Sequence, residues 1–197
     1  MNGELIEKLK QLNIIHKGGV TLKNAGTSDF YVDIKKAFGY PNILNLICDE
    51  LWREIERGVT CIAAGGYGGL PLATAISLKH HLYLTIIRDE PKKHGKGGSL
   101  DGYTPDRQDR IAIVDDVLTT GESLRKIIKT LKPTGATIVG CYVVIKRGSP
   151  HPRYLKYLLT HKELLTGEKK CAESTEKRYV SQKPTSIYPI YKTPHLQ

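Results

Sequence analysis

The chain has 197 residues, enough for one domain with a substantial core, or for one domain with an appendage. Hydrophobic residues make up 40% and charged residues 25%, ordinary globular values that exclude wholesale disorder. The formal charge of +10 suits nucleic acid or a polyanionic small substrate, and charge alone does not choose between them.

Residues 4 to 12 place Leu5, Leu9 and Leu12 at helical spacing, with Ile6 widening the stripe, and this amphipathic helix is expected to end before Gly18-Gly19. Val20 to Lys23 and Phe30 to Ile34 read as two strands joined by a turn over residues 24–28. Pro41 starts the next helix as its first residue, with the stripe Leu44, Ile47, Leu51, Ile55 and a stop at Gly58. The period then switches repeatedly. Thr60 to Ala64 is a predicted strand, Pro71 to His80 a helix, Leu82 to Arg88 a strand, Ile111 to Val114 a strand, Ser123 to Lys132 a helix stopped by Pro133, and Thr137 to Ile145 the last long strand. Tyr154 to Thr160 can add a further strand and His161 to Leu165 a helical turn.

Such alternation predicts an α/β, doubly wound fold, a mainly parallel central sheet with helices on both faces. Residues 1–167 form the predicted domain, and 168–197 a polar tail, extended or disordered in isolation. No apolar run approaches the length of a bilayer span, and the first residues lack the basic-then-apolar order of a signal peptide. A cytoplasmic protein without a membrane partner is expected. Of the four cysteines, Cys48, Cys61 and Cys141 fall in apolar patterns as small buried hydrophobes, Cys171 falls in the tail, and no spacing suggests zinc.

The most informative stretch is 111–123. An apolar β-branched run is closed by Asp115 and Asp116. Val117 and Leu118 follow, then Thr119, Thr120, Gly121, Glu122 and Ser123, where Leu124, Ile127, Ile128 and Leu131 begin a helical stripe. A helix amino end presents unpaired N–H donors and a partial positive charge, and a glycine lets the backbone approach phosphate oxygens closely. Two carboxylates beside that cradle can face ribose hydroxyls or a hydrated metal. The plain alternative is a turn followed by an N-cap, which residue types alone would favour for an arbitrary strand-loop-helix; what favours the anion cradle is the resemblance of the whole thirteen-residue order to a known motif.

Ligands of doubly wound sheets bind beyond the carboxyl ends of the strands, so the loops after Ala64, Arg88, Val114 and Ile145 should converge on one crevice. The run Gly65-Gly66-Tyr67-Gly68-Gly69 reads equally as a nest for a diphosphate or as a tight strand-to-helix turn. The polar stretch from Arg88 through Gln108, with Lys92, Lys93, His94 and Lys96 among glycines, reads as a lid without secondary structure that closes over a polyanion.

Residues 111–123 closely resemble the phosphoribosyl diphosphate (PRPP) motif of the type I phosphoribosyltransferases. Over about residues 5 to 165 the chain resembles one branch of that family, the orotate phosphoribosyltransferases. Thr21-Leu22-Lys23 with Ser28-Asp29-Phe30-Tyr31-Val32-Asp33 is similar to that branch's amino-terminal signature, and 88–95 to its catalytic loop. The resemblance implies a small amino-terminal hood on the sheet domain. It implies PRPP contacts from Lys23, Tyr67, Gly68, Arg88, Lys92, His94 and residues 115–123, and orotate contacts from Lys23, Phe30, Tyr31, Thr119 and Arg147. Asp115, Asp116, Lys92 and His94 would carry the chemistry, His94 by protonating or hydrogen-bonding the leaving diphosphate.

Mg²⁺ is implied as cofactor, reached through PRPP and water near Asp115 and Asp116 rather than by direct protein ligation. A homodimer with loop 88–108 near the neighbouring site is implied, with no nucleic acid as partner. Two positions depart from the family: Asp89 stands where relatives often have Lys, and Gly68 where some do. The implied activity is transfer of ribose 5-phosphate from PRPP to orotate. The competing readings are a phosphoribosyltransferase for a purine or uracil, and a PRPP-sensing nucleic-acid-binding regulator on the same fold.

Overall fold

The computed structural model describes residues 2–22, 26–90, 98–147 and 154–166, and of these it leaves undescribed the side chains of Asn2 and of residues 17–22 and 26–29. The predicted tail, 168–197, therefore lies outside the described residues. The elements run α1 (Asn2–Gln11), β1 (Ile15–Leu22), β2 (Gly26–Val32), α2 (Lys35–Phe38), α3 (Pro41–Glu54), β3 (Cys61–Gly65), α4 (Gly66–His80), β4 (Tyr83–Ile87), β5 (Leu100–Gly102), β6 (Arg110–Leu118), α5 (Glu122–Leu131), a 3₁₀ turn (Lys132–Thr134), β7 (Thr137–Lys146), β8 (Leu155–Thr160) and α6 (His161–Thr166).

Six strands form the central sheet in the order β5-β4-β3-β6-β7-β8. The β4-β3-β6-β7-β8 pairings are parallel, and only β5 joins antiparallel, at the edge. The period-2 alternation of buried strands sorts their side chains into two cores. Ile62, Ala64, Ala112, Val114, Tyr142 and Val144 face α1, α3 and α4, which contribute Leu5, Leu9, Ile47, Leu51, Leu72 and Ile76. Cys61, Ala63, Ile111, Ile113, Cys141 and Val143 face α5, through Leu124, Ile127 and Leu131. Helices thus cover both faces, as the alternating pattern predicts. Cys48, Cys61 and Cys141 are buried and free, and burial pushes their thiols up to about 12, 11 and 12, which makes them packing residues rather than nucleophiles.

The amino-terminal segment pairs β1 with β2 as a separate antiparallel hairpin. Its first strand starts at Ile15 rather than Val20, because Gly18 and Gly19 fall inside it: the register shifts between Lys17 and Val20, the position where an extra residue makes a bulge. Three further expectations are corrected. β6 does not stop at Val114 but runs through both aspartates to Leu118, because β7 continues beside it, pairing Val117 with Ile145 and Leu118 with Lys146. The polar stretch 88–108 contains β5, where Leu100 to Gly102 pair with Ile87 to Thr85. The α4 helix begins at Gly66, not Pro71, so the glycine run is a helical first turn.

Candidate active site

β6 carries Asp115 and Asp116 to the carboxyl edge of the sheet, where they are 6% and 7% exposed. Ser123 Oγ donates to Asp115 Oδ2 at 2.9 Å, and the Asp116 amide donates to Asp115 Oδ1 at 2.9 Å. The Val117 amide donates to Asp116 Oδ1 at 2.8 Å. Lys35 Nζ, from α2, donates to Asp116 Oδ2 at 2.6 Å. Burial, and next the adjacent Asp116 charge, push the Asp115 carboxyl from its ordinary 3.8 up to about 7. One member of the acid pair is therefore ion-paired, and the other is poised to gain or lose a proton near neutrality.

Beyond the pair the backbone turns at Gly121, φ 73°, a left-handed conformation that glycine adopts without steric cost, and α5 begins at Glu122 with no side chain capping it. The Arg125 amide closes the first helical bond on the Gly121 carbonyl at 3.0 Å. An uncapped helix amino end is an anion site in waiting. Thr119 and Thr120 are half-buried on the turn, while Leu118 is buried beneath it.

The glycine run explains how α4 approaches this edge. A Cβ on Gly69 would lie 2.7 Å from the Val114 carbonyl oxygen, and one on Gly68 would collide with the Asp116 carboxyl group. Glycine at both places lets the first turn of α4 press against the acid pair. Of the two readings of the run, diphosphate nest or tight turn, the geometry matches close helix–strand approach. Tyr67, on the same turn, is 90% exposed.

The β7 end supplies a second cluster. The Arg147 amide donates to the Leu118 carbonyl at 2.9 Å, which ties Arg147 to the residue preceding Thr119. Its guanidinium lies over the Phe30 ring, 4.4 Å from the centroid, a cation–π distance. His161, the first residue of α6, stacks on Phe30 at 5.2 Å, and burial lowers the Arg147 guanidinium from its ordinary value. Tyr31 sits elsewhere: strand alternation sends it to the other face, where it stacks with His16 at 6.3 Å.

Arg88 follows β4 and its Nη1 pairs with Asp101 of β5 at 2.7 Å, while its amide donates to the Ser99 carbonyl at 2.9 Å. Asp89 pairs with Lys126 of α5 at 3.3 Å. Lys23, Lys92 and His94 lie outside the described residues. The structure thus brings together Asp115, Asp116, Gly68 and Ser123, and separately Phe30 and Arg147. Sequence reading missed Lys35, His161 and Lys126; their partners are 81, 131 and 37 residues away (for His161 counted from Phe30), and no local pattern signals such pairs. Among the described residues, no group of three or more His, Cys, Asp or Glu side chains gathers as a metal site.

Comparison with known proteins agrees with this geometry. Residues 43–169 match the phosphoribosyl transferase domain model. The chain belongs to that family, a class of pentosyltransferase enzymes. An orotate phosphoribosyltransferase from Methanosphaera stadtmanae is 37% identical over 145 residues, 73% of this chain and 81% of its own. One from Methanothermobacter thermautotrophicus is 35% identical over 144 residues, 73% and 79% of the two chains. The crystal structure of the Aeropyrum pernix orotate phosphoribosyltransferase superposes with a TM-score of 0.70 at 26% identity, over 83% of this chain and 97% of that one. Within the family, its similarity falls with the orotate phosphoribosyltransferases.

Proposed function

We propose that the chain transfers ribose 5-phosphate from PRPP to orotate, releasing diphosphate and forming orotidine 5′-monophosphate, a step of pyrimidine nucleotide synthesis in the cytoplasm. The observation that carries this reading is the junction of β6 and α5: two buried carboxylates followed, across residues 117–121, by an uncapped helix amino end, in a chain whose relatives bear that activity's name. The terminal 5′-phosphate takes the turn 119–123, where amide donors and the helix dipole hold a dianion. Asp115 and Asp116 accept hydrogen bonds from the ribose hydroxyls.

In the reaction the bond from ribose C1′ to the diphosphate oxygen breaks and its electron pair leaves with diphosphate, while a ring nitrogen of orotate bonds to C1′ and gives up its N–H proton, which passes to the departing diphosphate. The ribose is oxocarbenium-like on the way, and the carboxylate of Asp116 offsets that positive charge. Arg88, Lys92 and His94 are the groups assigned to the diphosphate, with Tyr67 and Gly68 beside them. Lys23, Phe30 and Thr119 are assigned to the base together with Arg147, whose planar fork matches the orotate carboxylate; Tyr31, which the sequence also offered for the base, stacks on His16 on the opposite face of its strand and is not assigned to it. The Phe30 ring under the Arg147 guanidinium supports this assignment, because it fixes where the fork points.

Two hard carboxylates side by side suit Mg²⁺, an ion that takes oxygen ligands and keeps waters, and Asp115 and Asp116 would order those waters. Bound with PRPP, it supplies neutralisation of the charge growing on diphosphate. Residues 1–167 constitute the catalytic domain on this reading. A homodimer, with loop 88–108 near the partner's site, is part of the proposal; the 90% exposure of Tyr67 beside the acid pair supports it. An assay with PRPP and Mg²⁺ against orotate, uracil, adenine, guanine and hypoxanthine tests the reading. Turnover with orotate alone is expected, and turnover with a purine but not orotate would replace it.

A further inference from the structure

Asp116 is held from three directions. Its Oδ1 accepts from the Val117 amide at 2.8 Å; its Oδ2 accepts from Lys35 Nζ at 2.6 Å; and the face of its carboxyl group rests where Gly68 has no side chain. The ammonium comes from α2, a four-residue helix just after the amino-terminal hairpin. Its partner carboxylate is only 10% exposed, whereas the Lys35 side chain is 46% exposed. Exposed ion pairs contribute little, but this one fixes a carboxylate that water scarcely reaches, in a charge-assisted bond at short distance. An ammonium has three donors, and Asp116 takes one.

We infer that Lys35 is a positioning residue for the sugar donor, aiming the Asp116 carboxylate at the ribose hydroxyls and offsetting the acid pair's charge as an anionic donor enters. The inference rests on the proposed PRPP site and deepens it, since no sequence signature or resemblance assigns Lys35 a role. Two adjacent carboxylates at the mouth of an anion site repel the ligand the site is built for. A cation fixed on one of them, on the sugar side of the site, removes that repulsion. Its loss should therefore weaken the donor and leave the acceptor almost untouched, a split that general destabilisation of the fold would not produce.

The test is calorimetric titration of Mg²⁺–PRPP into the full chain, which needs no base and so stands apart from the identity of the acceptor, combined with steady-state kinetics. Lys35→Ala is expected to weaken PRPP binding about tenfold or more while the orotate KM stays within about twofold, and Lys35→Arg, which keeps the charge, is expected to recover most of the loss. In an Asp116→Asn background, Lys35→Ala should add no further loss, because the partner is gone. Should Lys35→Ala fail to fold, Lys35→Gln keeps the stem without the charge and carries the same comparison. PRPP affinity unchanged within twofold, equal losses for PRPP and orotate, or a full additional loss in the Asp116→Asn background would overturn the inference. A wild-type chain that binds no PRPP would overturn it together with the functional reading beneath it.

Discussion

Asp115 shows how a single residue couples fold to function. A carboxyl raised from 3.8 to about 7 holds its proton more tightly in the folded chain than in the unfolded one. It therefore favours folding below its unfolded value, and that contribution is lost as pH rises through its folded value. In ligand-free protein, Asp115→Asn should flatten the decline in urea-unfolding stability between pH 3.8 and about 7 relative to wild type; identical slopes would contradict the assignment. Arg147 makes a second prediction at this scale. Loss of a charge-assisted pair costs roughly 2 kcal/mol, about thirtyfold in an equilibrium constant, so Arg147→Ala should raise the orotate KM by about that factor and change the PRPP KM far less. Equal changes in both would remove Arg147 from the base site. The chemical types of these residues were legible in sequence, because Asp-Asp before a hydroxyl-rich turn and an Arg after a strand are local patterns. The raised proton affinity of Asp115 was not legible, since it depends on burial and on the Asp116 charge held beside it in the folded chain.

At the scale of elements, the glycines at the start of α4 set how near that helix comes to β6. Gly69→Ala would drive a methyl into the Val114 carbonyl, 2.7 Å away, and overpacking against fixed backbone costs about 1–3 kcal/mol, less the helix propensity that alanine gains. A net fall of a few degrees in Tm is expected by calorimetry. A Tm equal to or above wild type would show that α4 can move away freely. The sequence placed the β3–α4 glycines correctly at the crevice but not inside a helix, because glycine's low helix propensity outweighs any local signal and only packing reverses it. Similarly, aspartates are poor strand formers, and β6 continues through Asp115 and Asp116 only because β7 extends beside it. The three-residue β5 exists only as a partner to β4, and a segment that short has no periodicity to read.

For the whole molecule, alternation of strand and helix patterns was sufficient to predict the parallel sheet covered on both faces, and with it the edge at which the loops meet. What it did not contain is which residues meet there. The contacts of Lys35 with Asp116, Phe30 with Arg147 and His161, and Asp89 with Lys126 join segments far apart in the chain. They follow from the strand order, not from any spacing. The Asp89–Lys126 pair also gives a structural setting for one departure from the family pattern: a carboxylate at that place answers a lysine on α5. The charge of +10 accords with two anionic substrates on this account, with the acid pair as the local exception that orients sugar hydroxyls. The most direct measurement is a crystal structure of the chain soaked with PRPP and Mg²⁺. The account predicts the 5′-phosphate seated on the turn 119–123 and the ribose hydroxyls within hydrogen-bond distance of Asp115 and Asp116. Donor bound elsewhere, or a turn left empty at saturating PRPP, would contradict it.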